Sequence, residues 1–294
     1  MKQAQILHNP KAGDSNYSKE ELINLVESNG FEAHYKSLKE QGWDELSIEI
    51  NILVVCGGDG SIRKVTKALL ERKLDYPIAL IPGGTANNFA KNLGLHTDMD
   101  ASIRKWNTNH LKKIDIGEIK GENIQEFFLE SFGIGVFPEL MHRMEQLGEK
   151  EEKADDEMNT ALKEFHKIVQ TYDGFSCTIH ANGITYSGIY LMIEIMNISS
   201  IGPGLDLAAD ANPYDGMLNI VLVTLEQRQQ LGSHVFQKLR ETDKSYLSQT
   251  ILTKEIKITW KGAHAHADDK IMKMQDSSLS IRLGERKLKV YTDN

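Results

Sequence analysis

The sequence predicts two domains: an amino-terminal α/β domain with a parallel sheet, and a carboxy-terminal, mainly antiparallel β domain with inserted helices. The chain has 294 residues, of which 40% are apolar, and that is enough to give each domain a core. In the first third, short apolar runs alternate with amphipathic segments, which is typical of a parallel sheet with helices. After Lys112, strand-like runs follow at shorter spacing, which favours antiparallel pairing.

The first third repeats a strand followed by a helix. Ser18 precedes the first helix and Glu21 follows three residues later, so each side chain can accept a backbone N–H at the helix start. The predicted strands are Gln5–His8, Glu32–Tyr35, Ile52–Cys56 and Pro77–Ile81, and the predicted helices are Ser18–Ser28, Glu40–Glu49, Ser61–Arg72 and Thr85–Leu93.

The rest of the chain is predicted to consist mostly of strands. The predicted strands are Ile114–Ile119, Glu126–Phe132, Phe175–His180, Thr185–Met196, Leu218–Thr224, Ile251–Trp260, Ser278–Leu283 and Leu288–Tyr291, and the predicted helices are Glu139–Gly148, Asp155–Tyr172 and Glu226–Arg240. The charged run Glu149–Asp156 is interpreted as a solvated helix end, with a regulatory tail as the alternative.

Charge and cysteine content exclude several classes of protein. The net charge of −8 at pH 7 leaves no excess of Lys and Arg for a nucleic-acid backbone, so we expect no nucleic-acid partner. Cys56 and Cys177 lie in apolar stretches without metal-ligand spacing, and we expect buried thiols in a reducing cytoplasm. No run approaches the roughly 18 apolar residues that cross a bilayer, so we expect any membrane to be met from the aqueous side.

Two glycine-rich loops each follow a predicted strand and open a predicted helix. Consecutive glycines let the backbone approach a ligand closely, and N–H groups at a helix start favour a phosphate. One such loop is more often an ordinary turn, but two on successive strand–helix units predict a phosphate-binding crevice. Neither loop matches GxxxxGKS/T or GxGxxG, which disfavours a Walker-type ATPase and an ordinary dehydrogenase. The loops are Gly57-Gly58-Asp59-Gly60-Ser61 and Pro82-Gly83-Gly84-Thr85-Ala86-Asn87.

With a third motif after the first strand, these loops resemble the nucleotide-binding motifs of the diacylglycerol-kinase catalytic family. That family includes bacterial lipid kinases and sphingosine kinases, and is more distantly similar to NAD kinases and phosphofructokinases. The string from Pro82 to Ala90 is the specific one, because the distant relatives share only the GGDG element. The further matching segments are Asn9-Pro10-Lys11-Ala12-Gly13, Asp115-Ile116-Gly117, Ser131-Phe132-Gly133-Ile134-Gly135 and Tyr214-Asp215-Gly216-Met217-Leu218.

The resemblance implies that ATP and Mg²⁺ bind in a cleft between two domains. It implies an α/β nucleotide-binding domain at residues 1–118, a β-rich, β-sandwich-like second domain at 119–285, and a last strand at about 286–294 that returns to the first. The residues implied around ATP are Asn9, Lys11, Gly57, Gly58, Asp59, Gly60, Ser61, Gly83, Gly84, Thr85 and Asn87. The resemblance implies Asp59 and Asp115 near the catalytic magnesium and Asp215 at a second, structural magnesium.

The family carries an Asp-Gly-Glu triplet whose acid takes the proton of the acceptor hydroxyl, and here the matching residues are Asp268-Asp269-Lys270. A protonated lysine cannot accept a proton, so Asp268 and Asp269 are the predicted catalytic bases. His264 and His266 alternate with alanine, which puts both on one face of a strand, and either could also serve. Their more ordinary interpretation is as surface histidines on a solvated strand.

Other departures from the family pattern lower the expectation of transfer activity. Asp14 stands where many members have a lysine, and Lys11 could reach the phosphates instead. Arg63 and Lys64 stand where an Asn-Glu pair is common, and Asn88 replaces an aspartate. These changes alter the charge that magnesium and phosphates would meet.

The leading hypothesis is an ATP- and Mg²⁺-dependent kinase that phosphorylates a hydroxyl of a lipid such as diacylglycerol or a long-chain base. The alternative is a nucleotide-binding protein of kinase fold with weak or no transfer activity, and a third option is an NAD kinase-like enzyme. We expect a cytoplasmic protein; transient contact with the inner membrane surface and a homodimer are left open. No lipid-binding residue is assigned, because apolar residues at helical spacing are more often core contacts. The positions concerned are Phe137, Leu140, Met144, Leu147, Leu162, Phe165, Ile168 and Val169.

Overall fold

A computed structural model describes residues 1–13, 17–46, 49–95, 99–107, 110–148, 154–240, 250–262, 264–274 and 277–292. The chain divides into two compact units, one formed by Met1–Ile114 with Lys287–Asn294 and the other by Asp115–Arg286. Asp14 and residues 149–153 of the charged run lie outside the described residues.

The secondary structure alternates strands and helices in the first unit and is mostly strands in the second. The strands are β1 Lys2–His8, β2 Phe31–Ser37, β3 Ile52–Gly57, β4 Ile78–Pro82, β5 Leu111–Ile114, β6 Gly117–Lys120, β7 Gln125–Phe128, β8 Ser131–Gly135, β9 Phe175–Ala181, β10 Ile184–Met196, β11 Ser200–Ile201, β12 Leu205–Asp206, β13 Leu218–Thr224, β14 Thr250–Thr253, β15 Glu255–Trp260, β16 His264–Ala267, β17 Lys270–Lys273, β18 Ser277–Leu283 and β19 Leu288–Tyr291. The helices are α1 Lys19–Ser28, α2 Asp59–Arg72, α3 Asn88–Asn92, α4 Met99–Lys105, α5 Val136–Leu147, α6 Ala154–Thr171 and α7 Arg228–Leu239, with a 3₁₀ turn at Leu225–Gln227.

The first unit contains a six-stranded sheet in the order β2-β1-β3-β4-β19-β5. Its neighbouring strands are parallel, except that β5 pairs antiparallel with β19. Every residue of β3 is buried, as expected of a parallel strand covered on both faces. The predicted parallel α/β architecture is confirmed.

The start of α1 has the predicted capping arrangement. The Ser18 hydroxyl accepts the Glu21 N–H at 3.2 Å, and the Ser18 N–H donates to the Glu21 carboxylate at 2.7 Å. Two N–H groups that the helix itself cannot satisfy therefore have partners.

The helix predicted at residues 40–49 is wrong, because residues 40–44 form a bend and turns and residues 45 and 46 have no regular secondary structure. Gly42 has a φ of +75°, a left-handed conformation that ends any helix. The Lys36 ammonium donates to the carbonyls of Gly42 and Glu45 at 3.2 and 2.7 Å, so carbonyls that a helix would bond internally are bonded by a side chain. Amphipathic spacing alone did not reveal this competition.

The second unit is built on an eleven-stranded antiparallel sheet. Its order is β17-β16-β8-β10-β9-β15-β18-β6-β7, and β13 joins β10 to β14. All of these neighbours pair antiparallel, which confirms the predicted second fold class. A separate apolar cluster lies between α5, α6, α7 and the strands β10 and β13.

The apolar positions noted on α5 and α6 are core contacts, as the sequence favoured. Six of the eight are buried, Met144 is half-buried, and Leu147 at the end of α5 is 46% exposed. The buried six are Phe137, Leu140, Leu162, Phe165, Ile168 and Val169.

Two strands predicted as continuous are interrupted where a backbone N–H donates to a distant residue. The strand predicted at Ile114–Ile119 breaks at Asp115, whose N–H donates to the carbonyl of Pro213 at 2.8 Å. The strand predicted at Glu126–Phe132 breaks at Leu129, whose N–H donates to the carboxylate of Asp268. In both places a backbone N–H donates to a partner more than 90 residues away in the sequence and not to a neighbouring strand.

Both cysteines are buried thiols, as predicted. Burial raises the pKa of Cys56 and of Cys177 to about 12, so neither forms the reactive thiolate near neutral pH. Within the described residues, no helix is both long and apolar enough to cross a membrane.

Candidate functional site

The loops that follow β1, β3 and β4 meet at three glycines. A Cβ at Gly58 would lie 2.9 Å from the Cα of Gly84, and a Cβ at Gly84 would overlap the Cα of Gly58. Gly13 has a φ of +53°, and a Cβ there would lie 2.9 Å from the carbonyl carbon of Gly84. Because the obstacles are backbone atoms, only glycine permits this packing. The three motifs that the sequence singled out are therefore neighbours in space.

Hydrogen bonds fix the same loops to one another. The Gly83 N–H donates to the Gly57 carbonyl at 3.0 Å, which continues the pairing of β3 and β4 into the loops. The Asn9 amide donates to the Ser61 hydroxyl at 3.3 Å, which links the first loop to the first turn of α2. A Cβ at Gly57 would overlap the Ser61 side chain, so this position also requires glycine.

Asp59, the first residue of α2, joins the second loop to the third. Its carboxylate accepts the N–H groups of Asn88 and Phe89 at 3.0 and 3.1 Å, and so caps the start of α3 from a distant point in the chain. A carboxylate is favourable there because the helix amino terminus carries partial positive charge. Asp59 is thus a structural link between the loops.

Asn87 shapes the third loop. It has a left-handed φ of +52°, which asparagine tolerates better than most residues. Its side-chain amide bridges Gly84, accepting from the N–H at 2.9 Å and donating to the carbonyl at 2.6 Å. Because this conformation is not helical, α3 begins at Asn88 and not at the predicted Thr85.

The amino terminus of α2 points its N–H groups into these loops. Its N-cap residue is Gly58, which has no side chain that could cap the helix. In a helix of 14 residues the N–H groups of the first turn carry positive partial charge, and a phosphate group is a suitable partner for them. The close backbone packing and this helix start together fit the phosphates of a nucleotide.

The cations near the loops have different roles. Lys11 is exposed in the first loop. Arg63 is buried in α2. The Lys64 ammonium donates to the Leu38 carbonyl at 2.6 Å and lies 4.9 Å from the centre of the Trp43 ring. Lys64 therefore stabilises the turns at residues 38–46.

In the second unit, Asp268 anchors a turn. Its buried carboxylate accepts the N–H groups of Leu129, Glu130 and Ser131 at 2.8 to 3.2 Å, and its own N–H donates to the Ser131 carbonyl at 2.9 Å. All three N–H groups donate to Oδ1, and the Leu129 N–H also contacts Oδ2, so the carboxylate is held against the backbone of this turn. The base role predicted for Asp268 is disfavoured by this geometry, which makes it a structural residue.

The other two residues of the triplet are exposed. Asp269 projects at the tip of the turn between β16 and β17. Lys270 forms an ion pair with Glu126 of β7. Of the two carboxylates predicted as base, Asp269 is the one that a substrate could contact.

A buried Glu194–His266 pair lies behind this turn. The Nε2 atom of His266 lies 3.1 and 3.0 Å from the two carboxylate oxygens of Glu194, and the Nδ1 atom lies 3.0 Å from the Asp268 carbonyl oxygen. The two side chains are 1% and 0% exposed. Both neighbours of the ring are acceptors, so Nδ1 carries a proton and a second proton is shared between Nε2 and Glu194.

The pKa of His266 reflects this position. Burial acts to lower it, but the charge of Glu194, the hydrogen bonds to Glu194 and the Asp268 carbonyl, and the charge of Asp268 together outweigh burial. The pKa of His266 is therefore raised above its usual value.

The prediction that the two histidines of β16 share a face is confirmed, since both contact α5. His266 lies 4.8 Å from the ring of Phe137, and His264 stacks at 5.5 Å on His142. The interpretation of both as surface histidines is wrong for His266. No local pattern in the sequence pointed to its partner, because Glu194 is 72 residues away.

The remaining predicted metal positions, Asp115 and Asp215, lie around one loop. Buried Asp115 accepts the Gly216 N–H at 2.8 Å, while exposed Asp215 accepts the Met217 N–H at 2.9 Å. Among the described residues, no group of three or more His, Cys, Asp or Glu side chains could hold a metal ion. The residues present fit Mg²⁺ only if most of its ligands are phosphate oxygens and water, which is how magnesium usually binds with nucleotides.

Residues 3–119 match the family model of the diacylglycerol kinase catalytic domain. The match covers 117 of the 294 residues. The matched segment contains all three glycine loops and ends within β6, so Glu194, His266 and Asp268 lie outside it.

Curated relatives carry the name "Putative lipid kinase". One from Staphylococcus carnosus is 27% identical over 257 residues, covering 84% of this chain and 78% of that protein. One from Streptococcus pneumoniae is 30% identical over 197 residues, covering 64% of each. The match to a Staphylococcus haemolyticus relative, at 26% identity, spans 61% of that protein's length.

Solved structures of two kinds share the fold. A diacylglycerol kinase from Bacillus anthracis superposes with a TM-score of 0.74 at 21% identity, over 99% of this chain and 97% of that one. An NAD kinase from Archaeoglobus fulgidus in complex with ATP superposes with a TM-score of 0.57 at 12% identity, over 99% of this chain and 94% of that one. At these identities the likeness establishes the diacylglycerol kinase and NAD kinase-like fold, which the sequence had predicted.

Proposed function

We propose that this protein is a lipid kinase-like phosphotransferase that moves the γ-phosphate of ATP to a hydroxyl group of a lipid such as diacylglycerol or a long-chain base. The observation that carries the proposal is the meeting of Gly13, Gly58 and Gly84 at the amino terminus of α2, within the segment that matches the family. The names of the curated relatives support a lipid as the acceptor.

In this proposal the backbone of the glycine loops surrounds the phosphates. Lys11 adds a positive charge, and Asp59 has lone pairs for a cation bound with the nucleotide. Magnesium, when bound, would neutralise charge that builds up on the phosphate oxygens. The acceptor oxygen bonds to the γ-phosphorus as the bond to the bridging oxygen breaks, and ADP leaves. Asp269 accepts the hydroxyl proton.

A second candidate is a nucleotide-binding protein of the same fold without transfer activity. It is favoured by the ion pair between Lys270 and Glu126, because this lysine stands where the family has an acid. It is also favoured by the hydrogen bonds that occupy Asp268.

The test is incubation of the protein with γ-labelled ATP, magnesium and a total lipid extract. Label in a lipid spot with wild type, and at least about a hundredfold less with Asp269→Asn, is the expected result for a proton-accepting residue. The matched control is Asp173→Asn, an exposed carboxylate before β9 that should leave transfer unchanged. Bound ATP with no labelled lipid would select the second candidate, and no bound ATP would contradict both.

A further inference from the structure

Glu194, Gly133 and His266 form one row across three neighbouring strands. Gly133 on β8 stands opposite Glu194 of β10 on one side and opposite His266 of β16 on the other. A Cβ at Gly133 would overlap the Glu194 carboxylate, so the glycine leaves the space in which the two long side chains meet. This row lies in the interior of the sheet.

The row connects directly to the turn that carries Asp269. The imidazole of His266 donates to the carbonyl oxygen of Asp268, and the Asp268 carboxylate accepts three backbone N–H groups between β7 and β8. The residue after Asp268 is the exposed Asp269. A continuous chain of hydrogen bonds therefore runs from β10 through the buried pair to the tip of the turn.

We propose that Glu194 and His266 are positioning residues for transfer, and that the proton they share holds the turn in the orientation that presents Asp269 to the acceptor hydroxyl. This rests on the proposed function, which gives Asp269 the role of base. Neither side chain needs to contact a substrate.

The proton makes the arrangement sensitive to pH. The charged groups that act on the imidazole are Glu194 on β10 and Asp268 in the turn. On the other sides, α5 presents the Phe137 ring, β8 presents Gly133, and Ile271 of β17 stands opposite His266. When the shared proton leaves, the Nε2 lone pair faces a carboxylate across about 3 Å. That contact is repulsive and weakens the hold on the turn.

Two variants separate positioning from simple packing. Glu194→Gln has the same shape, and its amide N–H can donate to Nε2 of a neutral imidazole, so the link persists without the shared proton. His266→Phe removes the link to the Asp268 carbonyl. The control is His180→Phe, which changes an exposed histidine of β9 in the same unit.

The first measurement is steady-state transfer from ATP as a function of pH. We expect kcat of His266→Phe to fall roughly tenfold to a hundredfold, with KM for ATP unchanged, because only the orientation of the base is lost. We expect wild type to lose activity on the alkaline side and Glu194→Gln to lose less there. Equal kcat in His266→Phe and His180→Phe, or equal alkaline limbs in wild type and Glu194→Gln, would overturn the proposal.

Amide hydrogen exchange gives a readout that needs no activity. Protection of the N–H groups of Leu129, Glu130 and Ser131 should fall with rising pH in wild type, and should stay constant in Glu194→Gln. If protection changes equally in wild type and Glu194→Gln, the shared proton does not stabilise the turn. If wild type transfers no phosphate, the proposed function fails and the catalytic role fails with it, while exchange still decides whether the pair holds the turn.

Discussion

The glycine loops of the first unit and the turn at Asp268 in the second are fixed by different means. At Gly58 and Gly84 the backbones touch because side chains are absent. At Asp268 the backbone is held by side chains, a carboxylate that accepts three N–H groups and an imidazole that donates to its carbonyl. One arrangement brings the backbones of three loops together at a helix start, whereas the other occupies three backbone N–H groups with a carboxylate.

In the proposed function, the first region binds the nucleotide and the second orients Asp269. A surface of backbone N–H groups at a helix start suits an anion of fixed shape such as a phosphate. A buried network of charged groups holds one geometry, since each member is costly to leave unpaired. We expect substitutions in the first region to act mainly on nucleotide binding and those in the second mainly on stability and orientation.

The largest expected effect is that of Asp268→Ala on stability. Removing the carboxylate leaves three N–H groups without their acceptor, and an unsatisfied buried donor costs about 1–3 kcal/mol. We expect the free energy of unfolding to fall by about 3 kcal/mol or more, measured by urea denaturation.

The neighbouring Asp269→Ala is the matched control for that measurement. Asp269 is exposed, and its substitution should change the free energy of unfolding by no more than about 0.5 kcal/mol. Similar losses in the two variants would contradict the structural assignment of Asp268.

Next in size is the effect of Gly84→Ala in the first region. The new Cβ would overlap the Cα of Gly58, so the loops must separate, at a cost of about 1–3 kcal/mol in overpacking. We expect the Kd for ATP, measured by calorimetry, to rise at least about tenfold, which corresponds to about 1.4 kcal/mol.

Gly188→Ala serves as the comparison for that variant. A Cβ at Gly188 would be 3.4 Å from the Tyr190 ring, an ordinary contact, and this residue lies in the second unit. Unchanged ATP affinity in Gly84→Ala would show that the closeness of Gly58 and Gly84 is not needed for the nucleotide.

The same contrast explains what the sequence could predict. The glycine loops are continuous in sequence and each follows a strand, so residue types and spacing were sufficient to locate them. The Glu194–His266 pair joins residues 72 apart, and Asp268 reaches residues up to 139 away. No local pattern encodes such contacts. Even so, Gly133 lies in a motif noted from the sequence. This position requires glycine because a Cβ would overlap the Glu194 carboxylate.

The fold, like the glycine loops, was predictable where it depends on local sequence patterns. Parallel and antiparallel pairing follow from the spacing of apolar runs, and both predictions are confirmed. Two of the errors lie where a side chain competes for backbone groups. The Lys36 ammonium binds backbone carbonyls where a helix was predicted at residues 40–49. The Asp268 carboxylate binds a backbone N–H where a strand was predicted at Glu126–Phe132.

A pH-dependent contribution to stability should come from His266. Its pKa in the folded protein is raised, so its stabilisation is fully present below the pKa of the unfolded chain and is lost as pH rises through the folded pKa. We expect the difference in unfolding free energy between wild type and His266→Gln to be larger at about pH 6 than at about pH 9. A difference that is constant or grows with pH would contradict a shared proton between His266 and Glu194.

The smallest expected effect concerns the exposed ion pair of the same hairpin, between Lys270 and Glu126. The Lys270 side chain is 48% exposed, whereas His266 is 1% exposed. Because water screens an exposed pair, we expect Lys270→Met to lower the free energy of unfolding by less than about 1 kcal/mol. Raising the salt concentration should remove what remains, and the effect of His266→Gln should persist in salt because its partner is buried. A salt-resistant loss in Lys270→Met would instead mean that the exposed pair helps to hold the turn, and Glu126 would then join Glu194 in orienting Asp269.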